Sequence, residues 1–525
     1  VIKLEQTANR QIARAASVVM VAFILSNLTG LVRQVLVTNA FGTQSEIEAF
    51  NASNRVSESL FNLVAGGALA SAFIPILTSL LSTNKQQRAW KLVSSIANLV
   101  LLTTVTAAVL VGIFAPWVVR HLLAPGFAGD TAKELLTISL MRIMLPSAVI
   151  FGLSGLVMGA LNSHQVFFFP SLAPAMYQLG MIFGVVFLSP SLGIFGLAWG
   201  VVIGAALHLG LQIPALLRLG GKYSLTFGLK SADVQDVVRL MGPRLLGVAV
   251  VQLNFWINTR LASQFIEGSV TGIVLGFTLM LMPQAAIAQS IAIAALPTFS
   301  AQIARGQLGE MRHSLAASLR GALLLSIPAS FGLIILREPI IQSLYQRGQF
   351  DDASTQLVSW ALMWYSAGLV GHALVEILSR SFYALHDTKT PVFIGILAMS
   401  LNVVFSYVFS ALFMRVGWMA HGGLALANSV ATGIEAVWLL ILMRRRLEGI
   451  EARFIIEGTL KALIAALIMG GLLIVWQAET GLFSPWLKAT GGVILGIMSF
   501  VLLMVILRVD EIQRAVRFLR RRLTK

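Results

Sequence analysis

Charged side chains stand inside stretches that are otherwise apolar: Arg33, Glu48, Arg55, Glu58, Arg142, Arg244, Arg260, Glu376 and Glu435. A charge at the middle of a membrane-spanning helix costs about 2.5–3.5 kcal/mol on insertion scales, so such a residue faces a cavity or a partner. Arg55 and Glu58 are three residues apart, and Glu376 and Arg380 four apart, which puts each pair on one helix face. For these pairs an internal ion pair and a substrate contact are both open. Arg33 differs, because Thr29, Gly30, Leu36 and Val37 occupy the positions where a carboxylate could reach it. An unpaired guanidinium asks for an anion, and its planar fork of donors suits phosphate or pyrophosphate. Glu48 reads equally as a solvated residue at a helix end. Arg142 opens the run Arg-Ile-Met-Leu-Pro, where Pro146 interrupts the helical ladder, so a helix-stabilising role stands beside a functional one. The candidate substrate-binding residues are therefore Arg33, Glu48, Arg55, Glu58, Arg244 and Arg260.

Catalytic chemistry has no matching constellation. No Walker loop, GxGxxG spacing or nucleophile elbow occurs, so neither an enzyme nor an ATP-driven pump is expected, and no cofactor is implied. The seven histidines are scattered without H-x-x-H or H-E-x-x-H spacing, and the absence of cysteine excludes disulfides and thiolate metal sites. Transport would draw on an ion gradient, the membrane potential or the substrate gradient.

The elements that must position these charges are membrane helices. Of 525 residues, 57% are hydrophobic and 11% charged, against about 25% charged in an ordinary soluble domain. Apolar runs such as Leu99 to Val119 and Ala489 to Leu507 recur along the chain, each long enough to cross a core of about 30 Å as a helix. The expectation is an all-α polytopic membrane protein with about 14 transmembrane helices, starting near residues 15, 47, 92, 134, 166, 192, 236, 269, 314, 354, 391, 419, 456 and 485. Val1 to Arg14 is polar and no small-residue cleavage site follows it, so the first apolar run is expected to be retained.

The net charge of +16 would suit a nucleic-acid partner, but its distribution argues against one. Most of the basic residues fall in alternate connections and in a tail containing Arg514, Arg517, Arg520, Arg521, Arg522 and Lys525. The opposite connections hold only Arg120, Lys133, Arg337, Arg347, Arg415 and Lys488. The positive-inside rule then puts both termini in the cytoplasm.

An internal repeat appears at an offset near 222 residues. It brings Pro75 over Pro297, Gly126 over Gly348, and Pro170 within a residue of the Pro391-Val392 pair. Two six-helix repeats of one orientation are expected, related by an axis along the membrane normal. The domains would be 1–230, 231–450 as its repeat, and 451–525 as an appended helix pair with a basic cytoplasmic tail. Gly126 and Gly348 are expected to set turn geometry.

Several blocks resemble the MurJ (MviN) family of lipid II flippases. Phe382-Tyr383-Ala384-Leu385-His386-Asp387-Thr388-Lys389-Thr390-Pro391 is similar to its FYA-x-x-D-T-K-T-P signature. Leu344 to Phe350, Ala124 to Phe127, Met241-Gly242-Pro243, Phe73 to Leu77 and Gly159 to Asn162 follow in the family's order. The resemblance implies membership of the multidrug/oligosaccharidyl-lipid/polysaccharide (MOP) exporter superfamily. It also implies alternating access, moving undecaprenyl-pyrophosphate-linked peptidoglycan precursor across the bacterial inner membrane, with a cationic headgroup cavity and a lipid-tail groove near the last two helices. The expected partners are thus a lipid-linked glycan and membrane lipid.

Of the family's cavity arginines, Arg33 matches one of the first-helix pair, while the other falls on Asn27. The second-helix arginine falls near Phe61-Asn62, and the charged block of the eighth helix reads Phe277 to Pro283 without its charges. Glu48 stands where the family has an acidic residue. A sodium site of some members survives only as Asn402 with Ser406 in place of its Asp. A divergent paralogue with another lipid-linked oligosaccharide, a multidrug antiporter and a non-transporting scaffold remain alternatives.

Overall fold

Turns and caps set where each helix begins. In the computed structural model, which describes residues 25–64 and 68–509 together with 22, 511 and 513, every regular element among the described residues is helical. Asp130 caps one helix by accepting from Lys133 N at 3.1 Å, and Asp351 caps another by accepting from Ser354 N at 2.8 Å. A side-chain oxygen there satisfies an amide that has no partner within the helix.

The chain packs as two units. One runs to Glu267 and takes in Arg347–Phe350; the other comprises Gly268–Gln346 and Asp351–Lys525. The first unit holds α1 (25–41), α2 (Ser45–Val64), α3 (Ala68–Ser82), α4 (Gln86–Ile113), α5 (Thr131–Ser163), α6 (Phe168–Phe183), α7 (Ile194–Gly210) and α8 (Ala232–Ala262). The second holds α9 (Ser269–Gln284), α10 (Ser290–Ala304), α11 (Leu308–Tyr345), α12 (Asp352–Ala367), α13 (Leu369–Ala384), α14 (Lys389–Val416), α15 (His421–Arg446), α16 (Ala452–Glu479) and α17 (Pro485–Ile506).

Among the described residues, eleven helices are long and apolar enough to cross a membrane, or twelve if α12 and α13, bent by 47°, form one span. From α4 onward, apart from α10 and α13, which continue α9 and α12, the observed starts fall within six residues of those expected from hydropathy. The first expected span begins outside the described residues. The second is represented by α2 and α3, separated by 65–67, which also lie outside them.

Inside the first unit, Val37, Phe41, Phe50, Leu140, Met144 and Leu197 form one buried cluster, and Phe73, Leu77, Leu92, Ile96 and Val237 another. Where α6 meets α7, Gly180 and Gly184 face Gly200 and Gly204. A Cβ at Gly180 would collide with the Gly204 backbone. Small residues four apart are the means by which membrane helices bring their backbones together.

In the second unit, α9 runs through a π turn at Ala285–Gln289 into α10. Pro283, just before that turn, lacks the amide that would complete the ladder. The appended helices α16 and α17 pack on α11 through Leu324, Leu336, Ala466, Met469, Leu473 and Phe500. Arg320 of α11, 4% exposed, reinforces this contact by bonding Phe454 O at 3.0 Å and pairing with Glu511 at 2.9 Å.

Outward faces carry Phe187, Leu467, Ile474, Ile497 and Leu502, each at least 60% exposed. Such faces belong in lipid, and the chain is a multi-pass membrane protein. Local geometry also recurs along it. Left-handed turn residues pair as Asn84 with Gly306, Gln165 with His386 and Gly193 with Gly417, and the capping aspartates as Asp130 with Asp351, all near the offset of the sequence repeat.

Candidate functional site

The candidate site lies in the first unit and is built on α2. Asn51, Asn54, Arg55, Glu58, Ser59 and Asn62 follow one another at the three- and four-residue spacing of a single helix face. This polar stripe is a signal that a reading of isolated charges passes over. Arg55 donates to Glu58 at 3.1 Å, Asn54 donates to the other Glu58 oxygen at 2.9 Å, and the Arg55 guanidinium lies 5.0 Å from the Phe255 ring centre on α8. Ser59 binds Gln252 at 3.1 Å and accepts from the Trp256 indole at 2.8 Å. The Glu58 side chain remains 44% exposed, so the charged part of the stripe stays open rather than sealed by packing.

Arg33 of α1 points at α6. One terminal nitrogen reaches Met181 Sδ at 3.5 Å and the other Gln34 Oε1 at 3.1 Å. No carboxylate pairs with it among the described residues. Its Nε and the Gln178 Oε1 are both buried without a hydrogen-bond partner. Unsatisfied buried polar atoms of this kind mark a place where a ligand or water completes the network.

Tyr177 of α6 senses the charges of both Glu58 and Arg33. It stacks edge-on against Phe151 at 5.0 Å, which in turn contacts Phe61 at 4.8 Å. Behind this aromatic wall, Ser154, His208 and Gln212 bond one another at 2.6 and 2.8 Å. The structure thus brings Arg33 and Glu58, the latter paired with Arg55, into the neighbourhood of Tyr177. It adds Asn54, Ser59, Gln178, Gln252 and Trp256, which the sequence did not single out because neutral side chains carry no insertion penalty large enough to stand out.

The remaining candidates lie elsewhere in this unit. Glu48, 2% exposed, is held by Lys133 Nζ at 2.7 Å, and that ammonium lies 4.3 Å from the Phe127 ring centre. Arg260 donates to the His121 carbonyl. Arg244 is exposed on α8 and pairs with no carboxylate among the described residues. In the second unit, Glu376 and Arg380 pair at 3.0 Å.

Asn402 and Ser406 are buried on α14 with 3.5 Å between their oxygens. No group of three His, Asp or Glu residues that could hold a metal occurs among the described residues.

The arrangement offers one uncompensated guanidinium, one tethered Arg–Glu pair and a row of amides and hydroxyls. It can bind a phosphorylated, hydroxyl-rich headgroup.

A family model for the lipid II flippase MurJ matches residues 37–489. A lipid II flippase MurJ from Burkholderia cenocepacia is 32% identical over 431 residues, covering 81% of this chain and 82% of the relative. Among solved structures, a lipid II flippase MurJ in its inward closed conformation aligns with a TM-score of 0.79 at 24% identity, over 93% of this chain and 98% of the other. A multidrug resistance MATE family transporter of the MOP superfamily in an inward-facing conformation aligns with a TM-score of 0.68 at 16% identity, over 81% and 94%. Matched by that family model over most of its length and 32% identical to the Burkholderia cenocepacia relative, the chain belongs to the lipid II flippase MurJ family.

Proposed function

We propose that this protein flips lipid II, the undecaprenyl-pyrophosphate-linked peptidoglycan precursor, from the cytoplasmic to the periplasmic leaflet of a bacterial inner membrane. The observation that carries the reading is Arg33, a guanidinium with no carboxylate partner among the described residues, which shares Tyr177 as an electrostatic neighbour with Glu58 of the α2 stripe. A pyrophosphate supplies the missing counter-charge, and its two faces of oxygens match the guanidinium fork. The amides and hydroxyls from Asn54 to Trp256 suit the sugars.

In this reading the protein is a transporter with no catalytic step. It works by alternating access between two six-helix repeats, 1–230 and 231–450, with 451–525 as an appended pair and tail. Fourteen spans place both termini in the cytoplasm. Helix α8 starts the second repeat in sequence but packs with the first unit, bonding α2 through Gln252 and Trp256 and Arg88 through Asp233 at 2.9 Å.

A second reading, another polyprenyl-linked glycan as cargo, is favoured by one observation. Arg55 is already neutralised by Glu58, so less free positive charge remains for a pyrophosphate. Depleting the resident lipid II flippase in cells that express this chain separates the two. Sustained growth with labelled lipid II headgroup reaching the periplasm supports the first. Lysis with the chain present at normal abundance in the membrane overturns it in favour of the second.

A further inference from the structure

Arg142 is an intramembrane arginine that the candidate site does not use. It is exposed on the outer face of α5, away from the polar stripe, and its Nε donates to the Gly112 carbonyl of α4 at 3.0 Å. That bond orients the guanidinium and leaves both terminal nitrogens without a carboxylate among the described residues. Beneath it a groove of about 650 Å³ runs between α4 and α5, lined by Val105, Val109, Ile113, Pro146 and Ile150 with Arg142 at its end. Gly112 lines the groove as well, its α-carbon facing Leu145.

The depth of this groove follows from the charges that bracket α4 and its continuation. Lys91 and Arg120 are the nearest basic residues on either side. A hydrocarbon core of about 30 Å centred between them ends near position 115. Gly112 and Arg142 therefore lie within about one turn of its edge. Trp117, 53% exposed and stacked on His121 at 5.6 Å, sits just beyond, where amphipathic rings collect at the headgroup level. From Ile113 to Val105 the groove descends about 12 Å toward the bilayer centre.

We propose that this groove is a binding site for an anionic phospholipid, whose acyl chain lies between α4 and α5 and whose phosphate takes the two terminal nitrogens of Arg142. Charge complementarity selects this occupant. A zwitterionic lipid brings its own cation to the phosphate, whereas a phosphatidylglycerol phosphate has none and needs a donor. An arginine extending freely into the headgroups would leave its Nε to water; here the Nε is committed to a carbonyl, so the fork is held at a fixed place over the groove. The volume lies in the range of about 300–1,000 Å³ typical of sites for single small ligands. The inference is independent of the cargo proposed above.

The test is native mass spectrometry of the full chain in detergent, titrated with phosphatidylglycerol and phosphatidylcholine of matched acyl chains. Salt is kept high enough to screen the arginines of the C-terminal sequence. The first phosphatidylglycerol is expected to bind about tenfold more tightly than phosphatidylcholine, the lower end of what a hydrogen bond to a charged group contributes. Arg142→Gln should abolish that preference. Val109→Trp, which fills the groove and leaves Arg142 and its Gly112 bond in place, should weaken both lipids and keep the proposal testable if Arg142→Gln does not fold. A phosphatidylglycerol preference that survives Arg142→Gln, or lipid affinity untouched by Val109→Trp, overturns it. So does displacement of phosphatidylglycerol by equimolar undecaprenyl phosphate, which would make the groove a site for the carrier lipid instead.

Discussion

Arg33 and Glu48 look alike in sequence, each a charge inside an apolar stretch, yet their surroundings give them opposite roles. Arg33 has Met181 and Gln34 for company and a buried Nε with no acceptor. Replacing it by lysine keeps the charge and loses the fork, while alanine loses both. Flipping, read as periplasmic accessibility of the headgroup, should fall in the order Arg, Lys, Ala at constant abundance; full activity of Arg33→Ala would remove the residue from the site. Glu48 belongs to a buried ion pair with Lys133. Lys133→Ala takes the cation from that buried carboxylate and should cost up to about 3–5 kcal/mol of stability, whereas Glu48→Gln with Lys133→Gln should cost much less. Unfolding midpoints of the purified variants decide this. The partner of Arg55 was legible because it lies three residues away. The partner of Glu48 was not, since Lys133 is brought to it only by the packing of α5 on α2, and no local spacing encodes that.

At the scale of elements, the turns carry much of the specification. Gly348 sits at φ +57° with its α-carbon against Asn39, and Gln349 N donates to the Asn39 carbonyl at 3.0 Å. Gly126 has no left-handed backbone; it is glycine because the Ser263 carbonyl occupies the space a side chain would need. Both expectations of turn-setting therefore stand on different physics, strain plus contact in one and contact alone in the other. Valine at either position should lower folded yield by fluorescence size-exclusion; normal yield with lost transport would instead point to a role in the transport cycle. The Asp387 turn makes a pH prediction. Burial pushes its carboxyl up, but hydrogen bonds from Thr390 N, the Thr390 hydroxyl and Arg446 outweigh this and hold it below the usual aspartate range. A depressed folded-state value means its contribution is full above the unfolded value of about 3.9 and fades as pH falls through the folded one. Acid unfolding should therefore steepen below about pH 4 in the wild type and be shallower in Asp387→Asn, which already lacks that contribution.

For the whole molecule, hydropathy located the spans from α4 onward because a helix in lipid must be apolar outside whatever it holds inside. The same reasoning could not see the cargo. A lipid II flippase and a multidrug transporter both align with this chain over most of its length, so the architecture is shared and the side chains within it decide what is carried. Topology is open to direct measurement. Reporter fusions in the 444–453 loop should read as cytoplasmic and those in the Leu122 to Lys133 loop as periplasmic; a periplasmic signal at 444–453 would overturn the fourteen-span arrangement. The polar stripe of α2 also bears on how the protein is made. A segment carrying Glu48, Arg55 and Glu58 pays about 2.5–3.5 kcal/mol for each charge that nears the bilayer centre, and it is not among the eleven helices long and apolar enough to qualify by themselves. During synthesis the translocon would meet α2 before Lys133 or Gln252 has left the ribosome, so this helix has to wait at the channel, or at the interface, until α5 and α8 arrive to shelter it. Its final seat in the bilayer is then an act of assembly rather than of insertion, and a nascent chain arrested before residue 133 should leave α2 accessible to aqueous labels.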